Sequence, residues 1–355
     1  NTTIILGDHL FLKGYRRLRP GLNPEIEVGR FLTDVSPFPS IAPLLGTLVF
    51  EARDGARLAL AMVQAYRANQ GDAWIYSVGY LRRFLEDTLT NPPQEVQPAE
   101  LHAVYLMLMR TLGLRTAELH RALAQRNADP AFDPEPITGA DLKCWTRQVR
   151  DEARFTLKVL NLRRRELALG LRELVDRLLA MQKSVPARIA NLRLNKVHAT
   201  KTRYHGDYHL GQALIAENDF ILIDFEGEPA RTLEERRRKH SPLRDVAAML
   251  RSLNYAAYNA LAAVTAERSH EIGRLEPLVR EWERLAAEAF LSGYREGIAG
   301  CSSYPDDPQH ARALIELFTL EKAFYELRYE LENRPEWVAV PLQGLNALFG
   351  ESSSQ

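Results

Sequence analysis

The chain has 355 residues, 46% hydrophobic and 26% charged, which is enough to bury one large core or two lobes. Its 46 basic and 46 acidic side chains cancel, so neither a nucleic-acid footprint nor an anionic-membrane footprint is indicated. Cys144 and Cys301 offer no disulfide framework and suit a reducing, cytoplasmic setting, and neither an apolar run of transmembrane length nor a signal peptide appears.

In chain order, Thr2-Thr3-Ile4-Ile5-Leu6, Gly7-Asp8 and His9-Leu10-Phe11-Leu12-Lys13 predict a hairpin with Lys13 ending its second strand. Asn23-Pro24-Glu25-Ile26-Glu27 opens a predicted helix running to Leu32, with Asn23 as N-cap and Pro24 as first helical residue. A second apolar strand covers Leu58–Gln64, and Asp72 caps a helix starting near Trp74. Beyond that point the pattern is mainly helical. Glu100–Gln125 is a long amphipathic stretch in which Met107 and Met109 read as apolar filler. A proline-punctuated loop follows at Asn127–Pro136, then helices from Gly139 to about Asn195.

His205-Gly206-Asp207-Tyr208-His209-Leu210-Gly211-Gln212 interrupts the helices, and Asp224-Phe225-Glu226-Gly227-Glu228-Pro229 follows twelve residues after Gln212. Asp207 to Gln212 is a step of five, the spacing between base and metal-binding amide in a kinase catalytic loop. Asp224 then stands where the metal-binding acid of D-F-G would stand. Between them Ala213–Ile215, the turn Ala216–Asp219 and Phe220–Ile223 predict a hairpin that folds Gln212 and Asp224 towards one point. The chemistry this pattern serves is phosphoryl transfer. Asp207 would orient the attacking hydroxyl and take its proton, while Gln212 and Asp224 would hold Mg²⁺ through hard oxygens, with Glu226 a further acid nearby. His205 and His209 are four apart, but Gly206 lies between them, so loop-bracing hydrogen bonds are expected rather than a zinc site.

A kinase also needs a strand lysine on the α- and β-phosphates of ATP and an acid to hold that lysine. Lys13 would clamp the phosphates. Either Glu25 or Glu27 can pair with it, and Glu27 is preferred. The backbone near Gln64 and Tyr66 resembles a lobe hinge and would meet adenine. Arg163-Arg164-Arg165 and Arg236-Arg237-Arg238-Lys239, interleaved with Glu, read as solvated salt-bridged faces. Helices return from Leu243. Within Lys322–Leu331, Lys322, Tyr325, Glu326 and Tyr329 recur at steps of three and four and share one face. That face serves equally well as a sugar platform or as ordinary core packing.

Asn1-Thr2-Thr3, Lys13, Asn23–Glu27, the Asn69–Trp74 turn, His205–Gln212, Asp224–Pro229 and Ser241-Pro242-Leu243-Arg244-Asp245-Val246-Ala247 together resemble maltokinases. These belong to the aminoglycoside-phosphotransferase, protein-kinase-like superfamily, and the resemblance runs from Asn1 to about Leu342. It implies an α+β, two-lobed protein-kinase-like fold. Residues 1–70 would be a partial nucleotide-binding N-lobe, 71–350 a helical C-lobe, and 351–355 a frayed tail. The implied activity is ATP-dependent phosphorylation of maltose at its anomeric hydroxyl, giving maltose 1-phosphate. Lys322, Tyr325, Tyr329 and Glu330 would contact the sugar, and Arg231 stands near them. A trehalose synthase domain or subunit is the implied partner, since maltokinases also occur fused to that enzyme. A non-catalytic kinase-like module of such a fusion, or a same-fold kinase for another small alcohol, is the alternative; aminoglycosides are disfavoured for want of an evident acidic cluster. Maltokinases carry a cap and a phosphate-covering loop ahead of the segment matching Asn1-Thr2-Thr3, so a processed start and weakened ATP binding are expected.

Overall fold

The computed structural model describes residues 1–91, 97–192, 194 and 196–350; the expected frayed tail at 351–355 and the helix limit at Asn195 lie outside them. The chain is α+β and two-lobed, as expected. Strands β1 (Thr2–Leu6), β2 (Leu10–Gly14), β3 (Leu44–Glu51) and β4 (Arg57–Ala65) form an antiparallel sheet in the order β1-β2-β4-β3. Gly7 and Asp8 both take positive φ, 55° and 52°, which matches the twist a two-residue hairpin needs. β2 is central, so Lys13 is held on both sides, opposite Thr3 and Met62. Helix α1 (Pro24–Arg30) starts where Asn23 accepts the N–H groups of Glu25 (2.9 Å) and Ile26 (3.4 Å), satisfying two orphan donors. The helical backbone does not stop at Leu32 but widens into a π turn over Phe31–Val35.

β3 was not expected. Its Leu45, Leu48, Val49 and Phe50 are exposed, so the strand lacks the alternation that reports one buried face. The Asp54-Gly55 turn before β4 was the available signal.

The second lobe begins with α2 (Ala73–Thr90), capped by Asp72 on the Ile75 N–H at 2.8 Å. The short α3 (Pro98–Leu101) precedes α4 (Ala103–Leu123), in which Met109 is buried but Met107 is 71% exposed, against the expectation that both fill a core. A small ladder of β5 (Glu135–Pro136) and β6 (Thr200–Lys201) flanks α5 (Gly139–Arg163), α6 (Arg172–Ala180) and α7 (Val185–Asn191). The expected hairpin is present as β7 (Ala213–Ala216) and β8 (Asp219–Leu222), turned at Glu217 and Asn218 with positive φ. After α8 (Leu233–Arg237) come α9 (Leu243–Thr265), α10 (Ile272–Ile298), α11 (Pro308–Asn333) and α12 (Ala339–Gly350). The core gathers around α9, where Leu253, Ala256, Ala257 and Ala260 are fully buried. Among the described residues no helix is long and apolar enough to cross a membrane.

Backbone bonds splice the first lobe's end onto the hairpin. Leu222 N–H donates to Ser40 at 2.8 Å, Gln70 N–H to Ile215 at 2.8 Å, and Ile215 N–H to Gly71 at 2.9 Å. Ile41 pairs with Leu222, and Asp72 with Leu214, as isolated bridges. The hairpin that separates Gln212 from Asp224 therefore also roofs the hinge.

Candidate active site

The loop carrying Asp207 is fixed from below by a buried carboxylate. Asp245 of α9 accepts the backbone N–H groups of His205 at 2.7 Å and Gly206 at 3.0 Å, and the His120 ring at 3.2 Å. His120 is itself bonded to the Tyr294 hydroxyl at 2.9 Å. Gly206 needs its φ of 84°, and a Cβ there would meet Gly227 at 3.3 Å. Both histidines brace the loop: His205 Nε2 donates to the Ile223 carbonyl at 2.8 Å, and His209 Nδ1 accepts the Gly211 N–H at 3.1 Å. Asp245 lay inside a motif quoted from the sequence, yet its role was invisible there, because nothing in a helical acid's neighbours says that it faces a distant loop.

Gln212 and Asp224 are brought together. The Gln212 amide donates to Asp224 Oδ2 at 3.1 Å, and Asp224 takes the left-handed conformation at φ 66°. Turned over, that amide would present its oxygen beside the carboxylate, a pair of hard donors that suits Mg²⁺ with water and phosphate completing the shell.

Lys13 lies at the centre of the acids. Its ammonium is 2.8 Å from both Glu25 oxygens, 2.6 Å from Asp224 and 2.8 Å from Glu226. Burial works against its charge, but the three carboxylates outweigh burial and hold its pKa above the ordinary lysine value. Burial pushes the Glu25 carboxyl up to about 8 against the pull of Lys13. The Tyr15 hydroxyl donates to Glu25 at 2.9 Å from behind. The preferred brace was the wrong one of two acids. Glu27 instead pairs with Arg203 at 2.9 Å and Arg237 at 2.8 Å, on the opposite side of α1. Two residues along a helix is about 200°, so only one of the two acids can face β2.

Lys13 and Asp224 close one end of a cavity of about 570 Å³ that Phe11, Gln64, Tyr66 and Ile221 also line. Gln64 spends its amide on the Ala42 carbonyl at 3.2 Å, and the Tyr66 N–H donates to His9 at 2.8 Å. The space is mainly apolar with a cation at one end, which would suit a nucleotide base and its phosphates.

On the other side of Asp207 lie two cavities, of about 680 Å³ and 600 Å³. Both touch Asp207, Glu228, Lys322 and Tyr325. The second is walled by Trp74, Tyr255, Tyr329, Glu330 and Trp337. The Lys322 ammonium stands 5.2 Å over the Tyr325 ring, and Tyr325 and Tyr329 stack with centroids 6.3 Å apart. Glu330 is buried, paired with Arg334 at 2.8 Å and bonded by Tyr255 at 3.4 Å. Burial would raise the Glu228 carboxyl, but Lys322, the Tyr325 hydroxyl and Arg231 hold it below the usual glutamate range. Arg231 reaches Glu228 at 2.9 Å. Glu228, Tyr255 and Trp337 were not picked out from the sequence. Glu228 sat two residues past the better-marked Glu226, and the aromatics lie on other elements.

The basic run at 236–239 is not a solvated face. Arg236 and Lys239 have side chains only 7% exposed, Arg237 pairs with Glu27, and only Arg238 forms the expected surface pair, with Glu234.

No family model matches this chain. It is 28% identical to a glucosamine kinase of Streptacidiphilus jiangxiensis over 299 residues, 84% of this chain and 60% of that relative, so it spans less than two thirds of that relative's length. A glucosamine kinase of Mycolicibacterium smegmatis is 27% identical over 357 aligned positions, covering 100% of this chain and 78% of the relative. The fold superposes on a solved glucosamine kinase in complex with glucosamine, ADP and inorganic phosphate, with TM-score 0.73 and 24% identity, over 98% of this chain and 74% of that one. The architecture is accordingly the two-lobed kinase-like one.

Proposed function

We propose that this chain is an ATP-dependent sugar kinase, and that its acceptor is maltose, phosphorylated at the anomeric hydroxyl. The observation that carries the reading is Asp207's position. It borders two cavities on one side, while Lys13 and Asp224, with Gln212 bonded to Asp224, lie at the mainly apolar cavity on the other. Phosphoryl transfer asks for positioning and charge neutralisation, and those four residues supply both. Lys13 would hold the phosphates, Asp224 and Gln212 would hold a Mg²⁺ that neutralises their charge, and Asp207 would hold the acceptor hydroxyl. The ammonium of Lys13 would pass from Asp224 and Glu226 to phosphate oxygens, while Glu25 keeps it in place. The likeness to glucosamine kinases supports a sugar as acceptor.

The rival acceptor is an amino sugar, as the names of the relatives suggest. A protonated amine wants an uncommitted carboxylate. Acids are indeed grouped here, which the sequence had not revealed, but the three glutamates beside the tyrosines are already matched to guanidinium groups. Glu228 pairs with Arg231, Glu326 with Arg251 and Glu330 with Arg334. A neutral sugar, whose hydroxyls accept and donate and whose ring faces lie on tyrosine and tryptophan, fits that balance better. Two adjoining cavities also leave room for two pyranose rings.

The test is turnover with Mg–ATP and either maltose or glucosamine, with the product read by phosphorus NMR. The expected product couples its phosphorus to an anomeric proton. Asp207→Asn should bind ATP as the parent does and lose orders of magnitude in turnover. Transfer to glucosamine in preference to maltose would overturn the acceptor assignment. Undiminished turnover by Asp207→Asn would overturn the role of the loop.

A further inference from the structure

Six residues, Glu226 to Arg231, pass from the nucleotide side of the site to the sugar side. Glu226 at one end contacts Lys13 at 2.8 Å, and Glu228 two residues on faces Lys322 and Tyr325. These residues form neither helix nor strand, so no ladder holds their carbonyls, though the Arg231 N–H donates to the Glu228 carbonyl at 3.0 Å. Side chains do: Arg19 donates to the Arg231 carbonyl at 3.1 Å, and Arg236 reaches three of the carbonyls. The Arg236 guanidinium donates to the Pro229 carbonyl at 2.7 Å, the Arg231 carbonyl at 3.1 Å and the Glu226 carbonyl at 3.5 Å, and lies 4.0 Å from the Glu226 carboxylate. It is almost wholly buried, with its side chain 7% exposed. Its aliphatic stem fills the space beside Gly227, where a Cβ would meet Arg236 Cβ at 3.3 Å. Gly227 runs at φ 70° and passes against Gly206, the residue before Asp207.

The base from which Arg236 reaches is itself fixed. α8 is opened by a reciprocal capping box in which Thr232 and Glu235 exchange bonds, and Arg237 is tied to Glu27 of α1. A guanidinium offers five donors in a rigid fork, which a lysine cannot reproduce at three separate carbonyls.

We infer that Arg236 is a positioning residue that fixes Glu226 and Glu228 together, so that the donor side and the acceptor side of the site are set by one side chain. It touches neither reactant. The inference rests on the kinase reading for what the two acids do, but not for the geometry of the clamp.

The test uses the full chain with Arg236→Met, which keeps the apolar stem and removes the fork. Arg236→Ala serves for rescue by free guanidinium ion, and Arg238→Ala, an exposed pair-former, is the control. Amide exchange over 226–231 should quicken in Arg236→Met and stay at the parent's rate in Arg238→Ala. Affinity for the non-hydrolysable Mg–ATP analogue and for maltose should both fall, each by about tenfold, the loss expected when a charged hydrogen-bond donor is removed. Guanidinium should restore both in Arg236→Ala. Unchanged exchange over 226–231, or a loss confined to one ligand, overturns the inference. A fall in melting temperature with both affinities intact also overturns it, since that is the signature of a merely structural arginine. If the parent binds neither ligand, the kinase reading fails instead, and the exchange rates alone decide the clamp: quickened exchange in Arg236→Met sustains it, unchanged exchange overturns it.

Discussion

At the scale of single residues, α1 carries two acids two positions apart with opposite fates. Glu25 is sealed against Lys13 and Tyr15, while Glu27 points to the other side of the helix, to buried Arg203 and to Arg237. Glu25→Gln should weaken ATP binding by about tenfold or more, because one of the two oxygens that hold the lysine becomes an amide donor. Glu27→Gln should leave ATP affinity near the parent's and lower stability, because Arg203 is buried and would lose its carboxylate. Isothermal titration with the Mg–ATP analogue and urea unfolding separate the two outcomes; a larger affinity loss in Glu27→Gln would reverse the assignment. His240 gives a second contrast. It lies half-buried between Trp145, at 4.2 Å, and Phe318, at 5.1 Å, and accepts the Ser241 N–H at 2.9 Å. Burial holds its pKa well below 6.5, so the folded chain refuses a proton that the unfolded chain accepts. Its contribution to stability is present above pH 6.5 and is lost as pH falls below it, by at most about 1.4 kcal/mol per pH unit. Unfolding midpoints of His240→Phe should therefore fall less steeply with acid than those of the parent. Parallel curves would show that His240 titrates normally.

At the scale of elements, α4 and α10 cross so closely that side chains are excluded. A Cβ on Gly113 would run into the Phe290 carbonyl, and one on Gly293 into the Arg110 carbonyl. α4 also supplies His120 to the Asp245 network, so this crossing sets the floor of the loop that carries Asp207. Gly113→Ala should cost roughly 1–3 kcal/mol or more, through forced separation of the two backbones. A stability equal to the parent's would mean that the crossing relaxes at no cost. These glycines had no signature in the sequence, whereas Asp207, Gln212 and Asp224 did. The difference is one of distance along the chain. The loop and hairpin join residues a few positions apart by short, stiff connections, so spacing alone predicts that they converge. The choice between Glu25 and Glu27, the burial of Arg236 and the facing of Asp245 depend on how whole helices are rotated, and that is decided by partners up to hundreds of residues away. β3 escaped notice for a third reason: its apolar residues lie on an exposed face, so their pattern does not report burial.

At the scale of the molecule, the two lobes are joined by more than the peptide that links them. Arg67, Ala68 and Asn69 of that link are exposed. Across it stand the Leu222–Ser40 backbone bond and the Ile41–Leu222 bridge, and Lys13 meets Asp224 from 211 residues away. Glu27 adds its pairs with Arg203 and Arg237. Covalent continuity is thus redundant at the hinge. A single cut between Arg67 and Asn69, made at an engineered protease site, should leave two pieces that elute together and separate only in denaturant; pieces that part in native buffer would show that the peptide itself holds the lobes. The same redundancy means that the molecule could be supplied as two polypeptides and still assemble one cleft, a split-protein reporter whose reunion is read by its own ligands.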